Sequence, residues 1–94
     1  MKNTKKGVDI LVNTHHLEIQ KPSFQEIKKG IKQFEVLKSD RDYQVGDTLI
    51  LNEYDQVKKI PTGAWVPESI TYKLDDTRYL KDGYIVLGMQ EIKF

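Results

Sequence analysis

The chain reads as a mostly β, α+β fold: a small β-barrel of about five strands with one helix between the first two. Three observations point there. Apolar residues recur at every second position in several short runs, each bounded by Gly, Pro or Asp turns. One window, around Phe24, Ile27 and Ile31, has them at helical spacing instead. And 94 residues fit one domain with a thin core, to which each strand must contribute.

Residues 1–13 begin polar and basic and read as a flexible N-terminal extension, ahead of a single domain over 14–94. The first strand is expected over 14–20, with His15, Leu17 and Ile19 facing inward. On that face His15 reads as a hydrogen-bonded core histidine. Pro22 ends the strand. Ser23 stands where a helix N-cap would, with Glu26 at the capping-box spacing, and the helix runs to about Gly30, whose missing Cβ suits a left-handed C-terminal position. A strand over 33–38 puts Phe34 and Val36 on one face, Glu35 and Leu37 on the other. Turns over 39–42 and 45–47 follow, and Gly46-Asp47 reads as turn chemistry. Residues 48–54 make the clearest strand, and 55–63, with Pro61, read as a loop or hairpin. A strand over 65–74 starts at an edge or bulge because of Pro67. Its Trp65 is expected to pack in the core. After a polar connection over 75–82, Tyr84 to Leu87 is apolar on both faces, as a central strand would be. The Glu35 strand and the Leu49/Leu51 strand should share one sheet, with Leu51 buried and Phe24 and Ile27 packed against it.

With 38% hydrophobic and 31% charged residues the chain is globular rather than disordered. The absence of cysteine excludes disulfides, thiolate metal sites and cysteine nucleophiles. No apolar run approaches the roughly 20 residues of a membrane span, and residues 7–12, interrupted by Asp9, are too short for a signal peptide. A soluble, cytoplasmic protein without a membrane partner is expected. No cofactor is implied. His15 and His16 are no metal site, since neighbouring strand residues point apart. The net charge of +1 hides an asymmetry: residues 21–41 hold six Lys/Arg against three Asp/Glu, residues 42–94 six against nine. Attraction for phosphate must therefore come from a local patch, although Lys28 and Lys29 could equally be solvating a helix face.

Gly30-Ile31-Lys32-Gln33-Phe34-Glu35 resembles the G-x-K-x-x-E signature of ASCH domains, members of the PUA-like superfamily, and lies where they carry it, between first helix and second strand. Phe34-Glu35-Val36-Leu37-Lys38-Ser39-Asp40-Arg41-Asp42-Tyr43 with Val45-Gly46-Asp47, together with the opening His15-His16-Leu17-Glu18-Ile19, Glu53-Tyr54-Asp55 and Gly83-Tyr84-Ile85-Val86-Leu87-Gly88, is similar in the same order to an uncharacterised ASCH-like subfamily of domains of unknown function. The resemblance spans residues 15–88. It implies a PUA-like barrel with a cleft between helix and barrel, and RNA or a nucleotide as partner. Two positions depart from the pattern: Leu37 stands where relatives carry arginine, and Glu18 where they carry lysine. Both remove positive charge near the cleft.

Such a ligand needs cations for phosphate, hydrogen-bonding groups for base or sugar, and aromatic faces for stacking. Lys32, Lys38 and Arg41 are the candidate cations, Glu35 and Glu53 the hydrogen-bonding groups, Tyr43 and Tyr54 the aromatics. Lys32 and Glu35 reach one cleft if Lys32 lies in the turn before the strand; on one regular strand they would point apart. Arg41, between Asp40 and Asp42, could equally pair locally. The leading reading is an RNA- or nucleotide-binding module. Alternatives are a small hydrolase acting on RNA or a modified nucleoside, as ribonuclease or amidohydrolase with Lys32 and Glu35 in catalysis, or a protein-interaction domain. Small ASCH amidohydrolases of N4-acetylcytidine carry a threonine three residues after the motif lysine; Glu35 replaces it here. That replacement, with Leu37, suits Lys32 to holding phosphate rather than to nucleophilic or base chemistry.

Overall fold

The computed structural model describes residues 12–93, so the expected extension falls mainly outside the described residues. The elements are β1 (Thr14–Gln20), α1 (Lys21–Lys28), β2 (Phe34–Lys38), β3 (Thr48–Asp55), β4 (Ile60–Leu74) and β5 (Tyr84–Glu91). The expected five strands and single helix between the first two are therefore present. They form one curled half-barrel sheet in the order β1-β3-β4-β5-β2, parallel between β1 and β3 and antiparallel elsewhere. The Glu35 and Leu51 strands do share it. Among the described residues, no helix is long and apolar enough to cross a membrane.

Strand alternation builds the core. Leu49 and Leu51 of β3, Val66 and Ile70 of β4, and Ile85, Leu87 and Met89 of β5 all turn to the concave face, where Ile19, Phe24 and Ile27 meet them. At the mouth of the fold His15, buried as expected, hydrogen-bonds Asp47 at 2.8 Å and packs on Tyr43, with ring centroids 4.7 Å apart. Asp47 does more than shape a turn. Its carboxylate also accepts the backbone N–H groups of Asn13 and Gln44, tying the start of β1 to the start of β3. Burial works against its charge, but those three hydrogen bonds outweigh it and hold the carboxyl below its ordinary value.

Several local expectations need correction. Ser23 is not the N-cap: α1 begins directly after β1 with Gln20 at the cap position, no side-chain cap, and Pro22 in the first turn, where its missing N–H is harmless. Ile31 does not join the buried face of the helix. Gly30, at φ +78°, stops α1 in a Schellman turn, its N–H on Ile27 O and the Ile31 N–H on Glu26 O, and Ile31 swings out, 73% exposed. β4 starts at Ile60, five residues earlier than expected, so the loop shrinks to a tight hairpin at 56–59. The Asp55 carboxylate accepts the N–H groups of Val57 and Lys58 and shapes that turn. Pro61 is tolerated because this overhanging half of β4 has β3 as its one sheet neighbour. Trp65 lies on the overhang and is half exposed rather than packed in the core.

β4 is irregular twice. Asn52 pairs Trp65 whereas Tyr54 pairs Pro61, so β4 bulges around Gly63 (φ +89°). The ladder to β5 shifts between Ile70 and Tyr72, opposite Gly88, where a Cβ would meet Thr71 Oγ1 and Tyr72 Cβ at 3.2 Å. Both bulges help the sheet to curl.

Leu51 is fully buried at the centre of this core. Leu51→Ala should destabilise the protein by about 2–5 kcal/mol, measured by urea unfolding; a loss under about 1 kcal/mol would mean that the concave face is not the tightly packed one.

Candidate functional site

The turn after α1 assembles the site. Because the Schellman turn reverses the chain at Gly30, Lys32 falls in the connection before β2 and leans back towards the helix. Its ammonium lies 3.0 Å from Glu35 Oε1 and donates to Ser23 Oγ at 2.6 Å, while the Ser23 hydroxyl donates to Glu35 Oε1 at 2.9 Å. The Lys32 and Glu35 side chains are mostly shielded from solvent, so this triangle is stronger than a surface ion pair. It lines a groove between α1 and the edges of β1 and β2, with Glu18, Ile19, Gln20 and Leu37.

Lys32 also borders a second hollow, of about 490 Å³, on the other side of its side chain. Ile27 and Gly30 from the helix end line it, with Glu68 and Thr71 of β4, Met89, Gln90 and Glu91 of β5, and Gln33 and Lys93. Glu68 is the residue that sequence reasoning missed. It is 3% exposed and has no hydrogen-bond partner among the described residues. Burial, with repulsion from Glu91 opposite it in the ladder, pushes its carboxyl up to about 7. Near neutral pH this group both donates and accepts hydrogen bonds. A signal was there: Val66, Glu68 and Ile70 alternate, so the acid had to share the core face.

The other candidates disperse. Glu53 is buried under the far side of α1, accepting the Thr62 hydroxyl at 2.7 Å and Gln25 Nε2 at 3.4 Å, with Thr62 brought there by the Gly63 bulge. That is a structural role. Tyr54, next along β3, faces the opposite side of the sheet. Tyr43 is 1% exposed against His15, so its ring offers no face to a base. Arg41 lies 3.8 Å from Asp40 and 5.8 Å from the Tyr43 ring, the local pairing the sequence allowed. Lys38 ends β2, exposed and away from the Ser23–Lys32–Glu35 triangle. Of the seven candidates, Lys32 and Glu35 therefore come together as a pair, in the expected cleft.

Two comparisons with known proteins each cover most of the chain. The family model described as Domain of unknown function (DUF3850) matches residues 14–89. An uncharacterized 12.9 kDa protein in the GpA 3' region of Escherichia phage P2 is 35% identical over 78 residues, which is 83% of this chain and 69% of that protein.

The Glu68 carboxyl has a measurable consequence. Its folded value, about 7, lies above the ordinary 4.5, so its contribution to stability is complete below pH 4.5 and lost as pH rises through 7. Asp47 works in the opposite sense, at acid pH, below this window. Glu68→Gln should therefore unfold at a higher temperature than the wild type at pH 8, with the difference narrowing towards pH 5. Parallel melting curves across that range would show that Glu68 titrates normally.

Proposed function

This chain belongs to the family of the domain of unknown function DUF3850, and we propose that it is a cytoplasmic RNA- or nucleotide-binding module of ASCH type, PUA-like in architecture, with its ligand held between α1 and the sheet. The observation that carries this reading is the position of Lys32. One ammonium borders both hollows beside the helix, and the larger hollow also holds the buried Glu68 carboxyl. An ammonium suits a phosphate, and a carboxyl that can donate and accept suits the polar edge of a base. Glu35 and Ser23 hold Lys32 in place and keep the free groove from being strongly cationic. Affinity for a single phosphate should therefore be modest. The G-x-K-x-x-E run supports the same assignment, since it supplies Gly30 for the turn, Lys32 for the ligand and Glu35 for the brace.

A second reading has one specific observation in its favour. A carboxyl poised near neutral pH in the same hollow as a lysine is a workable proton-transfer pair, which is the equipment of a small hydrolase. Glu68, rather than Glu35, would then be the acid or base.

Titration of labelled single-stranded RNA and of nucleoside monophosphates at low salt should give micromolar binding that weakens as salt rises. Lys32→Ala should weaken it about tenfold and lower the salt slope by about 1. No binding of either ligand at low salt would overturn the module reading. Incubation with N4-acetylcytidine should release no cytidine; turnover that vanishes in both Lys32→Ala and Glu68→Gln would put the hydrolase in its place.

A further inference from the structure

Glu68 and Glu91 stand opposite each other in the antiparallel ladder of β4 and β5, so their side chains leave the same face of the sheet with Cβ atoms about 5 Å apart. Both line the hollow of about 490 Å³ beside the end of α1. Other shielded acids of this fold have found partners. Asp47 has His15, Glu53 has Thr62 and Gln25, and Glu35 has Lys32 and Ser23. The Glu68 carboxyl is more than nine-tenths buried and has none among the described residues.

The elements packed around Glu68 do not supply what it lacks. β3 sets Leu49 beside it in register, and α1 offers Ile27 to the hollow, neither of them polar. Lys32 borders the hollow, but its ammonium is committed to Glu35 and Ser23 at 3.0 and 2.6 Å. Lys93, just past β5, is exposed. The wall is therefore rich in hydrogen-bond acceptors and poor in donors, and Glu68 keeps a proton in place of a partner. A ligand that brings two neighbouring N–H groups replaces that proton and holds the carboxylate ionised. Among the RNA bases, guanine alone has two adjacent donors on its pairing edge, N1–H and the 2-amino group; adenine, cytosine and uracil alternate donor with acceptor there. Ile27 and Met89, both buried, give a flat ring apolar contact, and the volume lies in the range that takes small organic ligands.

We propose that this hollow is a guanine-selective base site, in which the Glu68 carboxylate accepts N1–H and the 2-amino group together and Glu91 lies beside it as a further acceptor. The proposal rests on the nucleotide-binding reading above and deepens it by naming the base. On binding, Glu68 gives up its proton to the buffer and the two N–H groups take its place. Burial first, and then Glu91, set the carboxyl of the free protein at about 7. The form that accepts guanine is the ionised one, scarce at pH 6 and predominant at pH 8, so guanine binding strengthens as pH rises through 7.

The test is calorimetric titration of the full chain with the monophosphates of guanosine, inosine and adenosine at pH 6, 7 and 8, in two buffers of different ionisation enthalpy. Wild type, Glu68→Gln and Glu91→Gln are compared, each checked for wild-type circular dichroism. At pH 8 the guanosine ligand should bind about 5- to 150-fold more tightly than the adenosine one, the worth of one good bidentate contact. Inosine monophosphate, which keeps N1–H and lacks the 2-amino group, should fall between. The preference should shrink about tenfold at pH 6, and at pH 7 the guanosine ligand should release at least about half a proton more than the adenosine one. Glu68→Gln should abolish the preference, its pH dependence and the extra proton release together, and leave adenosine monophosphate binding in place. Glu91→Gln should shift the onset of the preference to lower pH, because the repulsion on Glu68 is gone. Equal affinities at pH 8, or a preference that survives Glu68→Gln, would overturn the guanine site and leave the nucleotide-binding module standing. Failure of the wild type to bind any monophosphate or single-stranded RNA would overturn the module, and the guanine site with it. Methylguanidinium bound as tightly as guanosine monophosphate, with release of the same proton, would make the hollow a seat for an arginine of a partner protein, and the proposal would be wrong.

Discussion

β1 and β2 are the two edges of the sheet, and in the chain they are joined by α1 and the five residues at 29–33. An eight-residue helix is about 12 Å long, and a flat sheet of five strands would be about 19 Å wide from edge to edge. The sheet curls, and the connection between its edges runs across the open side of the curl. Much of the rest follows from that span. α1 becomes the lid of the core, with Phe24 and Ile27 as its two buried side chains. Its two flanks are then fastened by polar contacts, to β2 through Ser23 and Glu35 and to β3 through Gln25 and Glu53.

A lid held by so little apolar surface leaves gaps along its flanks, and the gaps are where the inward-facing acids lie. Glu35, Glu53 and Glu68 all share the concave face with the core, yet they meet different fates. Glu53 is satisfied by a threonine and a glutamine, and Glu35 by a lysine and a serine. Glu68 has neither, and burial raises its proton affinity. A buried carboxyl with no partner among the described residues lowers stability, and this one lies in the wall of the lysine-bordered hollow.

Much of this was legible along the chain. Period-two alternation identified the faces of β1, β2 and β3, and Gly30 announced the turn that lets Lys32 and Glu35 meet. The length of β4 was not legible, because Pro61, Gly63 and Pro67 look like strand breakers unless it is known that half the strand overhangs the sheet. Tyr43 offered no period to read: it lies in an irregular segment, and its burial depends on His15 and Asp47, which are 32 residues apart. Glu68 was legible in the alternation of Val66, Glu68 and Ile70, which puts an acid on a core face. That Glu91 stands opposite Glu68 is a matter of register between two strands, and that register is not encoded in either one of them alone.

The parallel pairing of β1 with β3 also orders events in time. Of the described strands β1 leaves the ribosome first, but the strand it must lie against begins at Thr48, and the carboxylate that secures it belongs to Asp47. β3, β4 and β5, by contrast, are consecutive antiparallel neighbours that can zip locally as they emerge. β1 thus waits for a partner made later, and α1, which follows β1 directly in the chain, waits with it. During synthesis the nascent chain carries an apolar concave surface without its lid, the interval in which a chaperone or a neighbouring chain has access to it.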